Sequence, residues 1–292
     1  MYLSPTETAG MQIQSLIDQP SKLPTIPKDT QQLIESFSSE DSTRHQIAEK
    51  ISADPALSAK LLRLANSAFF QMSRTIGTVE DALQMLGFVM VRNLVVGNGM
   101  VAAFRNIPGL DLQQFWRYSL NTACASRWLA MRADLNGDKA FTLGLLHALG
   151  QLQMHAVASA EMLPLDKKLS VLDAGRAKLE TEVLGFHYAQ VSAELATVWN
   201  FPLELIEALR HIPDPLATAE LSQTAAVVHL GAWRARVDAL QYSDEAITAS
   251  YPADVARRLG LSADWMQFSG DVGAHAMPAL KELTSGLDAM LE

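Results

Sequence analysis

The sequence predicts an all-α protein, and three observations carry that expectation. The composition is 49% hydrophobic but only 7% aromatic, and it is rich in Ala, Leu and Met, which favour helix, with few β-branched runs. Apolar residues recur at helical spacing, as in Leu57, Leu61 and Leu64, while Lys60 and Arg63 are expected to face out. Capping residues head these runs, most plainly Asp54 followed by Pro55 at the first helical position.

Taken in order, Thr6 to Gln19 reads as a short amphipathic helix, and Pro20, Pro24 and Pro27 then set an extended lead-in. Asp29 heads a helix through Phe37, and Ser42 or Thr43 caps the next, with Ile47 and Ile51 inward. Asn66 reads as a helix C-cap. Gly97 to Ala102, GNGMVA, has the small-residue spacing of a dinucleotide loop. No strand–turn–helix context and no acid about 20 residues on accompany it, so helix packing is the better account. Pro108 and Gly109 mark a boundary, after which LQQFWRYSLNTACASRWLAMRA forms a long helix with Phe115, Leu120 and Trp128 buried.

Ala140 to Ala160, AFTLGLLHALGQLQMHAVASA, contains no Asp, Glu, Lys or Arg and is apolar most of the way round, which predicts one buried helix. Its His and Gln residues argue against a membrane span. His155 is expected to cap or face solvent. Beyond it, helices are expected over Met162–Leu172, Arg176–Leu184 and Glu220–Val237, with two breaking at Pro202 and Pro213, and a less regular pair after Tyr251. The five Trp residues are expected in the core.

The net charge of −9 and the absence of any Lys or Arg run exclude an electrostatic footprint for nucleic acid. The first ten residues lack the basic region and apolar core of a secretory signal. The single cysteine, Cys124, sits in an apolar helical stretch, which predicts an inert thiol and a cytoplasmic setting.

Several blocks together carry a resemblance. LPTIPKDTQQLIESF, ISADPALSAKLLRLANSAFF and TVEDALQMLGFVMVRNLVV resemble the N-terminal half of the HDOD family. FWRYSLNTACASRWLA, AFTLGLLHALGQLQM and HYAQVSAELATVWNFPLELIEALRHIPDP resemble its second half. The resemblance implies a lead-in over 1–22 and an HDOD domain over 23–215. Within that domain an N-terminal helical lobe, 23–106, packs on an HD-like lobe, 107–215. A helical extension, 216–292, is expected to pack on the HD-like lobe.

The family is similar to HD and HD-GYP phosphohydrolases, in which His and Asp side chains hold metals that activate water against a phosphodiester. Hard divalent metals need several fixed ligands, anionic carboxylates included. Matched to that pattern, the first histidine falls at Tyr118 and the His-Asp pair at His147-Ala148. The following Gly-Lys falls at Gly150-Gln151, His187 and His211 match later histidines loosely, and a final acid would fall near Ala232. No carboxylate stands at a matched position. The resemblance therefore implies a vestigial pocket formed by Tyr118, His147, Ala148, Gln151, His187 and His211, with no catalytic residue, no metal and no cofactor.

Each residue also has a plain structural account. His147 reads as a neutral core histidine whose ring bonds a backbone carbonyl or Tyr118, and His211 as a favourable charge at a helix end. Arg63 and Arg92 are either surface charges with packed stems or members of an ion pair joining the two halves. The expected function is that of a bacterial signalling protein binding other signalling proteins without catalysis. A nucleotide or cyclic-dinucleotide sensor is the alternative, with Arg117, Arg127 and Arg132 as candidate anion contacts spread over different helix faces. A residual metal-dependent phosphohydrolase is the third reading.

Overall fold

The computed structural model describes residues 11–18, 43–67, 70, 74–104, 106–199, 201–266 and 276–287, without the side chains of Val89 and Asn93. The first turns of the helix expected from Thr6, and the whole of that expected over Asp29–Phe37, lie outside the described residues. All regular structure among the described residues is helical.

Helix α1 (Ile13–Ile17), in the lead-in, precedes the N-terminal lobe in sequence, but its Leu16 and Ile17 bury in the second lobe's core. The N-terminal lobe's own core comes from α2 (Arg44–Ser52), α3 (Pro55–Ala65), α4 (Val79–Leu86) and α5 (Phe88–Ala103). Thr43 and Gln46 form a reciprocal capping box on α2. Asp54 accepts from the Ala56 and Leu57 N–H groups at 2.9 and 3.0 Å, with Pro55 at the first position of α3. Asn66 caps the end of α3 and does more: its amide donates to Leu62 and Ile76 carbonyls and its oxygen accepts from Ile76 N–H, pinning the loop before α4. Lys60 does not face out. It donates to Asn98 Oδ1 on α5 at 3.0 Å, so its stem lies along the apolar groove between the two helices. GNGMVA is helical within α5.

The second lobe is organised around α6 (Leu112–Arg132), capped by Asp111. One face of α6 (Phe115, Trp116, Tyr118, Leu129) enters the larger core, and another (Leu120, Ala123, Cys124) completes the N-terminal core. The two lobes therefore share a helix, and their cores meet along it. Trp128, expected in the core, is only partly buried, and Arg132 stacks over its ring at 3.2 Å. Arg92 of α5 sits over the Phe201 ring at 5.3 Å, a cation–π contact across the lobes where an ion pair had been one of two expectations.

Ala140 to Ala160 is two helices, α7 (Gly137–Leu146) and α8 (Leu149–Val157), with α9 (Ser159–Asp166) following. The single-helix expectation fails at His147-Ala148, where Ala148 has φ −106° and ψ 8°. The break is stabilised by a residue from elsewhere: Ser192 Oγ donates to the His147 carbonyl at 3.0 Å and accepts from Gly150 N–H at 2.8 Å. The helix expected over 162–172 ends at Asp166. Two of the carbonyls beyond it, Leu169 and Leu172, accept from Arg176 and Arg236 instead.

The remaining helices are α10 (Arg176–Leu184), α11 (Tyr188–Val198), α12 (Leu203–His211), α13 (Gln223–Ala239), α14 (Asp244–Ser250), α15 (Ala253–Arg258) and α16 (Leu280–Leu283), with a 3₁₀ turn at Ala263–Met266. The long helix α13 lies against α6. Their approach is close enough that a Cβ at Gly231 would stand 2.2 Å from Ser126 Oγ and 2.9 Å from its nitrogen, so glycine is required by proximity. In the C-terminal segment Trp233, Tyr251 and Trp265 pack edge to face, with Trp233 and Trp265 in the larger core. Residues 276–287 reach further: Leu280 buries in the larger core and Leu287, 0% exposed, in the N-terminal core. No single helix among the described residues is long and apolar enough to cross a membrane.

Candidate functional site

Tyr118 on α6 and His147 at the end of α7 are buried side by side, 3% and 1% exposed, with ring centroids 5.3 Å apart. His147 Nδ1 lies 2.6 Å from the Gly144 carbonyl. A carbonyl only accepts, so Nδ1 carries the proton and Nε2 is left to accept from the Tyr118 hydroxyl at 3.3 Å. Burial holds the imidazole down at about 4, from an ordinary value of 6.5. The Gly144 bond opposes that shift and the nearby charge of Arg236 adds to it. The ring is neutral at neutral pH.

Arg236 was not among the sequence candidates. It lies on α13, 9% exposed, and its Nη2 donates to the Tyr118 hydroxyl at 3.4 Å while Nε donates to the Leu172 carbonyl. The hydroxyl thus accepts from the guanidinium and donates to the imidazole, giving one directed chain, Arg236 to Tyr118 to His147 to Gly144. The available sequence signal was a pair of arginines inside the otherwise apolar run VVHLGAWRARV, the second of them four residues past Ala232.

Ala148 is buried and offers no donor atom. Gln151, at the lysine position of the active pattern, points into a second buried cluster. Its amide donates to Glu180 at 2.6 Å. Glu180 also accepts from Arg176 Nε and from Tyr188 N–H, both at 2.8 Å. Arg176 reaches Asp166 at 2.8 Å, and Asp166 lies 3.0 Å from His155 Nε2. His155, expected to cap or face solvent, is fully buried, its Nδ1 bonded to the Gln151 carbonyl. Burial pushes the Glu180 carboxyl above the usual range, against the pull of Arg176, Tyr188 N–H and Gln151. The cluster ties α8, α9, α10 and α11 together. Arg176 and Glu180 stand four apart on α10, the spacing of an intrahelical ion pair, which is the signal that could have found them.

Burial lowers the His187 pKa, and the charge of His211 lowers it further. None of the described hydrogen bonds joins either to Tyr118 or His147. The three arginines expected as anion contacts lie apart as well. Arg117 is exposed, Arg127 pairs with Asp138 at 3.4 Å and Arg132 stacks on Trp128. The cation at the Tyr118–His147 pair is Arg236.

The family's chemistry implies a metal, and these residues do not fit one. The hydroxyl of Tyr118 and both nitrogens of His147 are committed to the chain described above. Ala148 and Ala232 bring no side-chain oxygen, and a guanidinium stands where a dication would need anionic ligands. Among the described residues, no group of three or more His, Cys, Asp or Glu side chains is gathered for a metal.

Comparison with known proteins agrees with the fold. The profile of the HDOD domain matches residues 23–215. A solved structure from Shewanella amazonensis, provisionally described as a phosphohydrolase, is 28% identical with a TM-score of 0.71, covering 95% of this chain and 96% of that one. An HDOD domain protein from Geobacter sulfurreducens is 22% identical, TM-score 0.64, covering 85% and 88%. A structure from Marinobacter aquaeolei provisionally described as a signal transduction protein is 24% identical, TM-score 0.64, covering 92% and 58%. These last two share the fold alone. A curated protein from Treponema pallidum is 28% identical over 205 residues, 67% of this chain, and the chain spans 38% of that relative's length.

Proposed function

Because the chain belongs to the HDOD domain family and Tyr118 and His147, at two of its matched metal positions, are committed to each other, we propose that it is a non-catalytic bacterial signalling protein. It acts in the cytoplasm as an adaptor, by binding other signalling proteins. The observation that supports this reading is the chain from Arg236 through Tyr118 to His147, which uses up the donor atoms a metal-activated water would need. A phosphodiester has no carboxylate-held metal to meet there, and the buried pair offers it no open cleft. No observation in the site favours the nucleotide-sensor reading over this one, since Arg127 and Arg132 are engaged with Asp138 and Trp128.

The test is made on the purified full-length chain. Its metal content is measured by plasma mass spectrometry, and hydrolysis of bis(p-nitrophenyl) phosphate and of cyclic dinucleotides is followed with added Mn²⁺, Mg²⁺ or Fe²⁺. Metal far below one equivalent and no turnover above buffer are expected. Metal near one equivalent together with metal-dependent turnover overturns the reading. In parallel, photo-crosslinked capture from the native cytoplasm is expected to retain a discrete set of proteins.

A further inference from the structure

The mismatch between the family's metal chemistry and these residues has a positive side. Arg236 is 9% exposed, and none of the salt bridges among the described residues includes it, although its neighbour Arg234 pairs with Asp238. The described hydrogen-bond acceptors of Arg236 are neutral oxygens, the Tyr118 hydroxyl and the Leu172 carbonyl, and the Asp173 carboxylate attracts it without forming an ion pair. A buried cation held by neutral oxygens is unusual, because burying a charge is costly unless its surroundings compensate. Ala232 lies one turn before Arg236 on α13 and therefore on the same face. The position matched to the family's final acid is thus a small side chain, and the next turn sends a cation past it.

We propose that the Arg236 guanidinium is the resident cation of this site, taking the place of the divalent metal, and that its charge excludes one. Resting on the non-catalytic reading above, this inference adds what fills the site and what holds it together. An acid at Ala232, one turn before Arg236 on the same face of α13, would have been placed to pair with it. Without that acid the guanidinium organises Tyr118 of α6 and the Leu172 carbonyl ahead of α10 around α13, the crosslinking that a metal performs through its ligands. The arrangement is always formed, and chelators leave it untouched.

Two measurements test this. First, urea unfolding is compared for wild type, Arg236→Lys, Arg236→Met, Tyr118→Phe and the Arg236→Met/Tyr118→Phe pair. Methionine keeps an apolar stem and removes the charge, so a purely steric role would survive it. The unfolding constant of Arg236→Met is expected to rise about tenfold or more, with Lys recovering part, since it keeps the charge without the fork. The two single substitutions are expected to be non-additive in the pair. Second, Mn²⁺ binding is read by electron paramagnetic resonance on Tyr118→His/Ala148→Asp/Ala232→Asp, with and without Arg236→Met. Tighter Mn²⁺ binding is expected only when Arg236 is removed.

An Arg236→Met protein as stable as wild type overturns the inference. So does Mn²⁺ bound equally well with Arg236 in place, or bound by neither folded variant. If the multiply substituted chains do not fold, the unfolding cycle decides alone. Metal and turnover in the wild-type protein would overturn both readings, whereas failure of the adaptor reading alone would appear as a metal-free wild-type chain that captures no partner protein, a readout these variants do not enter.

Discussion

Replacing Gly150 by alanine should be among the most damaging single-methyl additions in the chain. A Cβ there would stand 2.0 Å from the Tyr188 carbonyl oxygen and 2.9 Å from the Ser192 nitrogen, both backbone atoms of α11. Backbone cannot rotate away as a side chain can, so α8 and α11 must part by roughly 1.4 Å to restore ordinary contact near 3.4 Å. That movement breaks the bond from Gly150 N–H to Ser192 Oγ, now 2.8 Å, and strains the one from Ser192 Oγ to the His147 carbonyl. Overpacking of about 1–3 kcal/mol plus one or two buried hydrogen bonds near 1 kcal/mol each gives a loss of about 2–5 kcal/mol. Gly185→Ala is the control. It has φ +85° and nothing within 4 Å of the added methyl, so only the left-handed backbone resists it, at about 1–2 kcal/mol. Urea unfolding followed by tryptophan fluorescence measures both. A Gly150→Ala loss below that of Gly185→Ala would refute the claim that α8 and α11 are held at this spacing by a missing side chain.

Three further outcomes are expected. His147 has a folded-state pKa of about 4 against 6.5 ordinarily, so the unfolded chain binds its proton first as pH falls. Its contribution is complete above 6.5 and disappears towards 4, amounting to about 3 kcal/mol. Wild type should therefore lose more stability than His147→Gln between neutral pH and about pH 4.5, and parallel urea midpoints across that range would remove the assignment. Arg176→Met strands the Glu180 charge in a fully buried site, costing about 3–5 kcal/mol, and adding Glu180→Gln should return part of it in thermal unfolding. Leu287→Ala empties a fully buried position in the N-terminal core, for about 2–5 kcal/mol; a melting temperature unchanged from wild type would mean that residues 276–287 do not hold that core.

Several features were legible in the residues alone. Asp54 with Pro55, and Thr43, start helices because their side chains satisfy the first free N–H groups, a need met within three residues of sequence. The helical period of Leu57, Leu61 and Leu64 fixes which face is buried. Ala148 and Ala232 carry no side-chain ligand atom in any fold, so the loss of carboxylates was also a matter of sequence. Tertiary structure decided which distant group completes each buried polar one. The apolar run from Ala140 to Ala160 looks continuous, yet it breaks where Ser192, 45 residues away, takes the His147 carbonyl. Gln151 and His155 stand in sequence without their partners, and only folding brings Glu180 and Asp166 to them. Arg236 lies 118 residues from Tyr118. Periodicity reports that a side chain is buried, because burial of a face repeats with the helix. It does not report the partner, because satisfying a buried hydrogen bond depends on where other helices cross, and that is a property of the packed chain.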